Sequence, residues 1–354
     1  MNMPGSIDPQ GRGASQHALS GIDVHAHVVP EAFPAYAGRN MPAQWPSTAL
    51  AHACHRHVMI SGKNYRTVSD LCWDASKRLS GIDELRIDRQ VLSPMPELLS
   101  YWLEPNDAAS LLRHINEQIA EMVAVSHGRF LGLGAVPLPD IDLALRELEH
   151  VMHTLGFAGV ELGSNINGVP IGDPRFDAFF EACEDIGAAV FVHALRPAGM
   201  DRLVGPPMLQ QVLAYPTDVG LAAASVLTSN LIVRRPRLRI AFSHGGGTLG
   251  LLLPRLERSR SVFPALRDTL QVTPLEQARK LYYDTLVFDT STLKHLVALF
   301  GASQMMIGTD YPFNFHDAAP VTSIQAAGFD PQVVQQLLRS NAERFLGLRA
   351  HGEP

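Results

Sequence analysis

Cysteine is scarce in this chain: Cys54, Cys72 and Cys183 are the only three in 354 residues, odd in number and scattered. That does not suggest a disulfide framework and fits a reducing interior, so a cytoplasmic location is expected. No Lys/Arg-rich run stands out, and the formal net charge is -6. Nucleic acid and anionic membranes are therefore not the expected partners. No apolar run is long enough to span a bilayer. The opening MNMPGSIDPQGRGASQHALS lacks the apolar stretch that follows basic residues in a secretory leader. Residues 1–20 read as a flexible tail. Low-complexity tracts and internal repeats are missing too. What remains is ordinary globular composition, 46% hydrophobic and 18% charged, enough for one large α/β domain or two small ones with a small-molecule partner.

Short apolar or β-branched runs recur between longer helical patterns. GIDVHAHV, RQVLSPM, RFLGLGAVPL, FAGVELG, AAVFVHA, LRIAFSHG, LYYDTLV and QMMIGTD read as eight strands. Residues 107–125 carry apolar positions at spacings of three and four, with Asn106 or Asp107 available as cap, and 140–155 repeat the pattern. DPQVVQQLLRSNAERFLGL reads as a closing helix, capped by Asp330 with Pro331 at its first position. Strands alternating with helices predict an α/β fold with a parallel sheet. Eight repeats favour a closed (β/α)8 barrel of the TIM type over 21–350, with an open doubly wound sheet as the alternative. The interval 30–79 is too long for a simple connection and is expected to form a small insertion lobe after the first strand, over the barrel mouth.

In such a barrel, reactive groups sit at the C-terminal ends of strands. His25 and His27 end the first candidate strand, where alternation would place them with Asp23 on one face and Ile22 and Val24 on the other. His193 ends the fifth, His244 the sixth and Asp310 the eighth. Singly each has a plain explanation: a satisfied core histidine, the start of a Gly-rich turn, an Asx turn. Together, three imidazoles and a carboxylate form a donor set suited to a zinc ion, with a position left for water. A bound cation would bring that water's pKa near neutrality.

At this point the chain resembles the amidohydrolase superfamily, and within it the decarboxylase branch exemplified by aminocarboxymuconate-semialdehyde decarboxylase. The resemblance runs from DVHAHVVP through YRTVSDLCWD, RFLGLGAVPL, LGFAGVELG and FVH to SHGGG, IGTDYPF and NAERFLGL. Its most specific parts are CWD, SHGGG and GTDYPF. It implies a metal held by His25, His27, His193 and Asp310, with His244 acting on the metal-bound water as acid/base; a fifth ligand is that residue's alternative role. Many superfamily hydrolases bridge two metals with a carbamylated lysine on the fourth strand, where this chain has Glu161, so one metal is expected. Relatives whose first paired histidine is replaced by glutamate often use manganese, and His25 points to zinc instead. Arg66 and Arg255 match family arginines that grip substrate carboxylates, the second reaching in from a neighbouring subunit, which implies a homodimer.

The implied function is non-oxidative decarboxylation of a small unsaturated or aromatic (di)carboxylate. A hydrolase or hydratase acting on a lactone, amide or conjugated acid is the alternative, and a non-catalytic barrel is a third reading. One departure bears on substrate. After the fifth-strand histidine the family has a Pro-Trp pair and further tryptophans, whereas here HALRPAGMDRLVGPPM has none and introduces Arg196. AHACHRHV, with His52, Cys54, His55 and His57, fits no standard zinc spacing. Strand alternation would separate Cys54 from His55 and His57, so no second metal is expected there. HGGGTLG looks like a phosphate cradle but lacks the Lys-Ser/Thr ending; its glycines are expected to let backbone approach the metal site.

Overall fold

A computed structural model describes residues 20–348; the expected tail, up to residue 19, and the last residues of the expected domain lie outside the described residues. The eight candidate strands all form. They are β1 (Gly21–Val28), β5 (Ile87–Pro94), β6 (Phe130–Gly134), β7 (Gly159–Gly163), β10 (Ala189–His193), β11 (Arg239–Phe242), β12 (Tyr282–Asp284) and β13 (Met305–Met306), joined in that order as one parallel sheet. Closure falls between β1 and the chain just past β13. The Val24 amide donates to Ile307 (2.9 Å), Asp310 donates to the His25 carbonyl (2.8 Å) and His27 donates to Tyr311 (2.8 Å). The fold is a (β/α)8 barrel, and the open-sheet alternative falls away.

Between β1 and β5 lies a three-stranded antiparallel sheet of β2 (Ser47–His52), β3 (His55–Ile60) and β4 (Lys63–Ser69). The next helix, α1 (Ala75–Glu84), already belongs to the barrel wall, capped by the Asp74 carboxylate and burying Arg78 and Ile82. A two-residue pair, β8 (Asn165–Ile166) with β9 (Val169–Pro170), follows β7.

Three local expectations are refined. The helix α2 (Pro105–Ala124) starts two residues before 107, because Pro105 at its first position needs no amide partner. Asp107 does not cap it and instead accepts from the Tyr36 hydroxyl (2.9 Å). The helix α3 (Ile141–Glu149) is capped by Asp140, whose Oδ1 accepts from the Leu143 amide, and widens into a π turn over His150–Thr154. The closing helix begins at Pro331 with Asp330 before it, though the Asp330 side chain makes no capping bond. Its last part, Asn341–Leu346, seats Ala342, Phe345 and Leu346 against Ile22, Val91, Leu133, Ala189 and Ala241. This apolar plug leaves the opposite, C-terminal mouth for polar groups.

Alternation also fails along β1. Ile22 and Val24 pack with Phe191, and the His25 ring touches the same phenyl (5.1 Å between centroids). A register shift between Asp23 and Ala26 turns the chain within one strand. Asp23 is left facing Gln90 and Thr309, which donate to its Oδ2 at 2.8 and 2.7 Å.

Candidate metal centre

His25 and His27 lie in the second half of β1, His193 ends β10, and Asp310 lies just past β13. The His25 and His27 Nε2 atoms lie 3.1 Å apart, and Asp310 Oδ1 is 3.7 Å from the first and 3.2 Å from the second. The His193 ring stands 5.0 Å from His25, 4.9 Å from His27 and 5.1 Å from His244, centroid to centroid. Donor atoms of His25, His193, His244 and Asp310 all fall within 4.8 Å of one another.

The far side of each ring shows what this convergence is for. His25 Nδ1 faces Asp284 Oδ2 (2.7 Å), His27 Nδ1 faces the Pro94 carbonyl (3.0 Å), and His193 Nδ1 faces the Ala194 carbonyl (2.8 Å). An acceptor on Nδ1 fixes the proton there, so each neutral ring turns its Nε2 lone pair inward. His193 Nε2 is buried with no hydrogen-bond partner at all, which is costly unless something electron-poor occupies the centre. Three inward lone pairs and one carboxylate oxygen fit a divalent cation.

The electrostatics hold two of the three rings neutral, and the third gives up its extra proton when a cation binds. Burial pulls His27 and His193 down, the latter well below the ordinary imidazole value, so both stay neutral donors. Burial would lower His25 as well, but the Asp284 hydrogen bond and the charges of Asp284, Asp310 and Asp23 raise it to about 9. Burial would raise Asp310, yet the His27 hydrogen bond and neighbouring imidazoles hold it well below the usual carboxylate range.

Asp284, which sequence reasoning passed over, organises two of these groups. Its Oδ2 accepts from the His25 ring and from the His244 amide (3.0 Å), and its Oδ1 accepts from the Gly245 amide (2.8 Å). It is the polar end of β12, the same signal that singled out His193 and Asp310. Arg78 was missed as well: fully buried, it donates to Gln90 Oε1 (2.7 Å) and to the His27 carbonyl (2.9 Å), tying α1 to the end of β1.

His244 has φ 55°, and Asp310 has φ 64°. Left-handed backbone is uncommon for such residues and gathers at functional sites. The HGGG glycines serve neighbours more than the metal. A Cβ on Gly247 would lie 1.8 Å from the Pro216 carbonyl oxygen, and one on Gly246 would meet the Tyr283 ring at 2.7 Å. The His244 ring borders a cavity of about 260 Å³ lined also by Tyr215, Leu286, Val287, Phe288 and Phe315. Burial, reinforced by the His25 charge, brings it down to about 4.

Arg66, on β4, lies across Tyr215 in an adjoining cavity of about 200 Å³. Its guanidinium sits 4.1 Å over the Phe313 ring, which stacks in turn on His27. Arg255 lies away from its own chain's site, exposed on the helix Leu249–Val262 beside Leu252, Leu256 and Phe263. Arg196, at the altered wall, is engaged by Glu97 Oε1 (2.6 Å from Nη2) and lies over Trp102.

At the fourth strand, Glu161 is fully buried with neither oxygen hydrogen-bonded; His27 Nδ1 is 3.6 Å away. Burial, opposed by the nearby Ser93 hydroxyl, which itself donates to the Ala26 carbonyl, and by the His25 charge, pushes it up to about 8 from an ordinary 4.5. Between these values the folded chain holds a proton that the unfolded chain has released, so metal-free stability falls as pH rises through that window. Glu161→Gln cannot ionise. Its melting temperature relative to the parent should therefore climb between about pH 5 and pH 8; a pH-independent gap would show that Glu161 is already ionised when folded.

Imidazoles and carboxylates gathered at the C-terminal mouth of a (β/α)8 barrel define a divalent-metal barrel protein. The chain belongs to the amidohydrolase family, whose profile, described as Amidohydrolase, matches residues 22–348. It is 34% identical over 329 residues to 2-amino-3-carboxymuconate-6-semialdehyde decarboxylase of Dictyostelium discoideum, covering 92% of this chain and 91% of that protein. The fold is shared with apo IDCase of Metarhizium anisopliae, with TM-score 0.79, 20% identity and coverage of 93% and 97% of the two chains. It is shared too with dihydroxybenzoic acid decarboxylase of Polaromonas sp. JS666, solved with manganese and 2-nitroresorcinol, at TM-score 0.72, 20% identity and coverage of 94% and 98%. No helix among the described residues is long and apolar enough to cross a membrane.

Proposed function

We propose that this chain is a metal-dependent, non-oxidative decarboxylase of a small unsaturated or aromatic carboxylate. The observation that carries it is the ring of inward-facing nitrogens beside a cavity walled by Phe288, Phe315, Leu286 and Val287. Such walls suit a flat conjugated substrate, and the decarboxylase relative spans nearly the whole chain.

His25, His27, His193 and Asp310 would hold the ion. Zinc is our choice because three imidazoles and one carboxylate make a borderline donor set. A bound divalent cation supplies positive charge that polarises oxygen and stabilises the negative charge left when carbon dioxide departs. Arg66 orients a carboxylate at the far side of Tyr215. Phe288 and Phe315 exclude water from the substrate's face. His244, neutral at pH 7 and with Nδ1 beside the Ser243 hydroxyl (3.2 Å), keeps Nε2 to take a proton from water in the cavity and deliver it to the carbon bearing the departing group. As the carbon–carboxylate bond breaks, its electron pair stays on the substrate, and the delivered proton replaces carbon dioxide.

The test is carbon dioxide release from freshly generated 2-amino-3-carboxymuconate-6-semialdehyde by protein loaded with zinc or with manganese. Release with both, fastest with zinc, is expected. Uptake of water by a lactone, amide or conjugated acid, with no carbon dioxide from any unsaturated or aromatic acid, would replace the assignment with a hydrolase or hydratase.

We further propose a homodimer in which Arg255 serves the neighbouring site. Leu251, Val262 and Phe263 on and beside its helix are 75%, 50% and 56% exposed, an apolar surface of the kind subunits cover. Arg66→Ala and Arg255→Ala should each raise KM at least about tenfold, by loss of a charge-assisted contact. At substrate well below KM, equal mixing of Arg255→Ala with His244→Ala subunits should restore about a quarter of parental activity, because half the sites in mixed dimers regain both groups. No recovery, although mixed dimers form, would confine Arg255 to its own chain or to the surface.

A further inference from the structure

The lobe holds a second cluster of metal-binding side chains. In sequence, Cys54 looked separated from its neighbouring histidines by strand alternation. In the structure it is not in a strand: Ala53 and Cys54 form the two-residue turn between β2 and β3, and alternation does not apply. The turn carries Sγ to 3.7 Å from His52 Nδ1 and 3.2 Å from His55 Nδ1. All three donor atoms lie within 4.8 Å of one another.

Bonds of about 2.3 Å to sulfur and about 2.05 Å to nitrogen, at a tetrahedral angle, put S and N about 3.6 Å apart. The two observed separations straddle that value. The residues are held in place by the fold. His52 and His55 are register partners across the hairpin, and their rings lie 4.1 Å apart. The Cys54 carbonyl accepts from the Asp70 amide (2.8 Å), and His55 pairs with Ser69, so the turn is pinned to the start of the chain's return to the barrel. His57, the remaining histidine of the segment, is occupied by Thr67 and Asn64. Lys77, the nearby cation that would oppose a metal, is paired with Asp70.

We propose that His52, Cys54 and His55 form a second metal site, for a borderline-soft divalent cation such as zinc, closing the β2–β3 hairpin. Two imidazoles and a thiolate supply three tetrahedral positions, and the exposed turn leaves the fourth to water. The thiol proton is released on binding. This site is independent of the catalytic assignment, because the barrel centre contains no sulfur.

That difference provides the test. Metal-free full-length protein is titrated with cobalt(II) while thiolate-to-cobalt charge-transfer absorption is followed in the near ultraviolet. The parent should develop the band; Cys54→Ser should lose it while still binding cobalt in the barrel, and His57→Ala should keep it. Cys72 and Cys183 are buried, so a thiol reagent reports on Cys54, and zinc should slow its reaction at least tenfold. Absence of the band in the parent, its survival in Cys54→Ser, or thiol reactivity indifferent to zinc would overturn the proposal.

Discussion

Replacing His244 by alanine should leave the barrel metal bound and lower kcat by about 10²–10⁴-fold, the range contributed by a positioned acid/base group. The reasoning is geometric first. His244 stands at the cavity wall with Nδ1 beside Ser243, while His25, His27 and His193 each spend Nδ1 on a strong acceptor and turn Nε2 inward. Its depressed proton affinity, down to about 4, keeps it neutral and able to accept a proton near pH 7. Metal analysis beside single-turnover rates checks this. Parallel loss of metal and rate would make His244 a fifth ligand, and near-parental turnover would remove it from the chemistry.

Asp310→Ala should be more severe for the ion. Outer residues that merely orient ligands are worth about 10–100-fold in metal affinity or activity, and Asp284→Asn should fall in that range. Asp310 supplies the only carboxylate oxygen within 3.7 Å of both paired histidine Nε2 atoms among the described residues. Its loss also removes the carboxylate 3.2 Å from the His27 Nε2 atom. Competition against a chromogenic chelator should therefore show a larger affinity loss for Asp310→Ala than for Asp284→Asn; equal losses would demote Asp310 from ligand to orienting group.

Much of this was legible in the sequence because strands and their polar ends obey local rules. All eight apolar runs became barrel strands, and His27, His193 and Asp310 could be read as the polar residues at or just past the point where each run stopped. Asp284 met the same criterion, but its partners lie 259 and 40 residues away, so nothing local distinguished it from an ordinary strand-end aspartate. The face of Asp23 was misjudged because a register shift inside β1 leaves no compositional trace. Cys54 was misplaced because one unflagged turn interrupts a run that reads as continuous strand. Arg78 looks like a surface helix residue until the carbonyls it serves are known.

The closure of the barrel carries one more implication. Asp310 donates its amide to the carbonyl of His25, so the first and last strands meet through two of the residues proposed to hold the ion. A ribosome-bound chain that has extruded only its first three hundred residues possesses both paired histidines and no complete centre. Competence arrives with the final strand, and an ion gripping both sides of this junction acts as a clasp on the ring. Catalytic readiness and topological completion are thereby the same event.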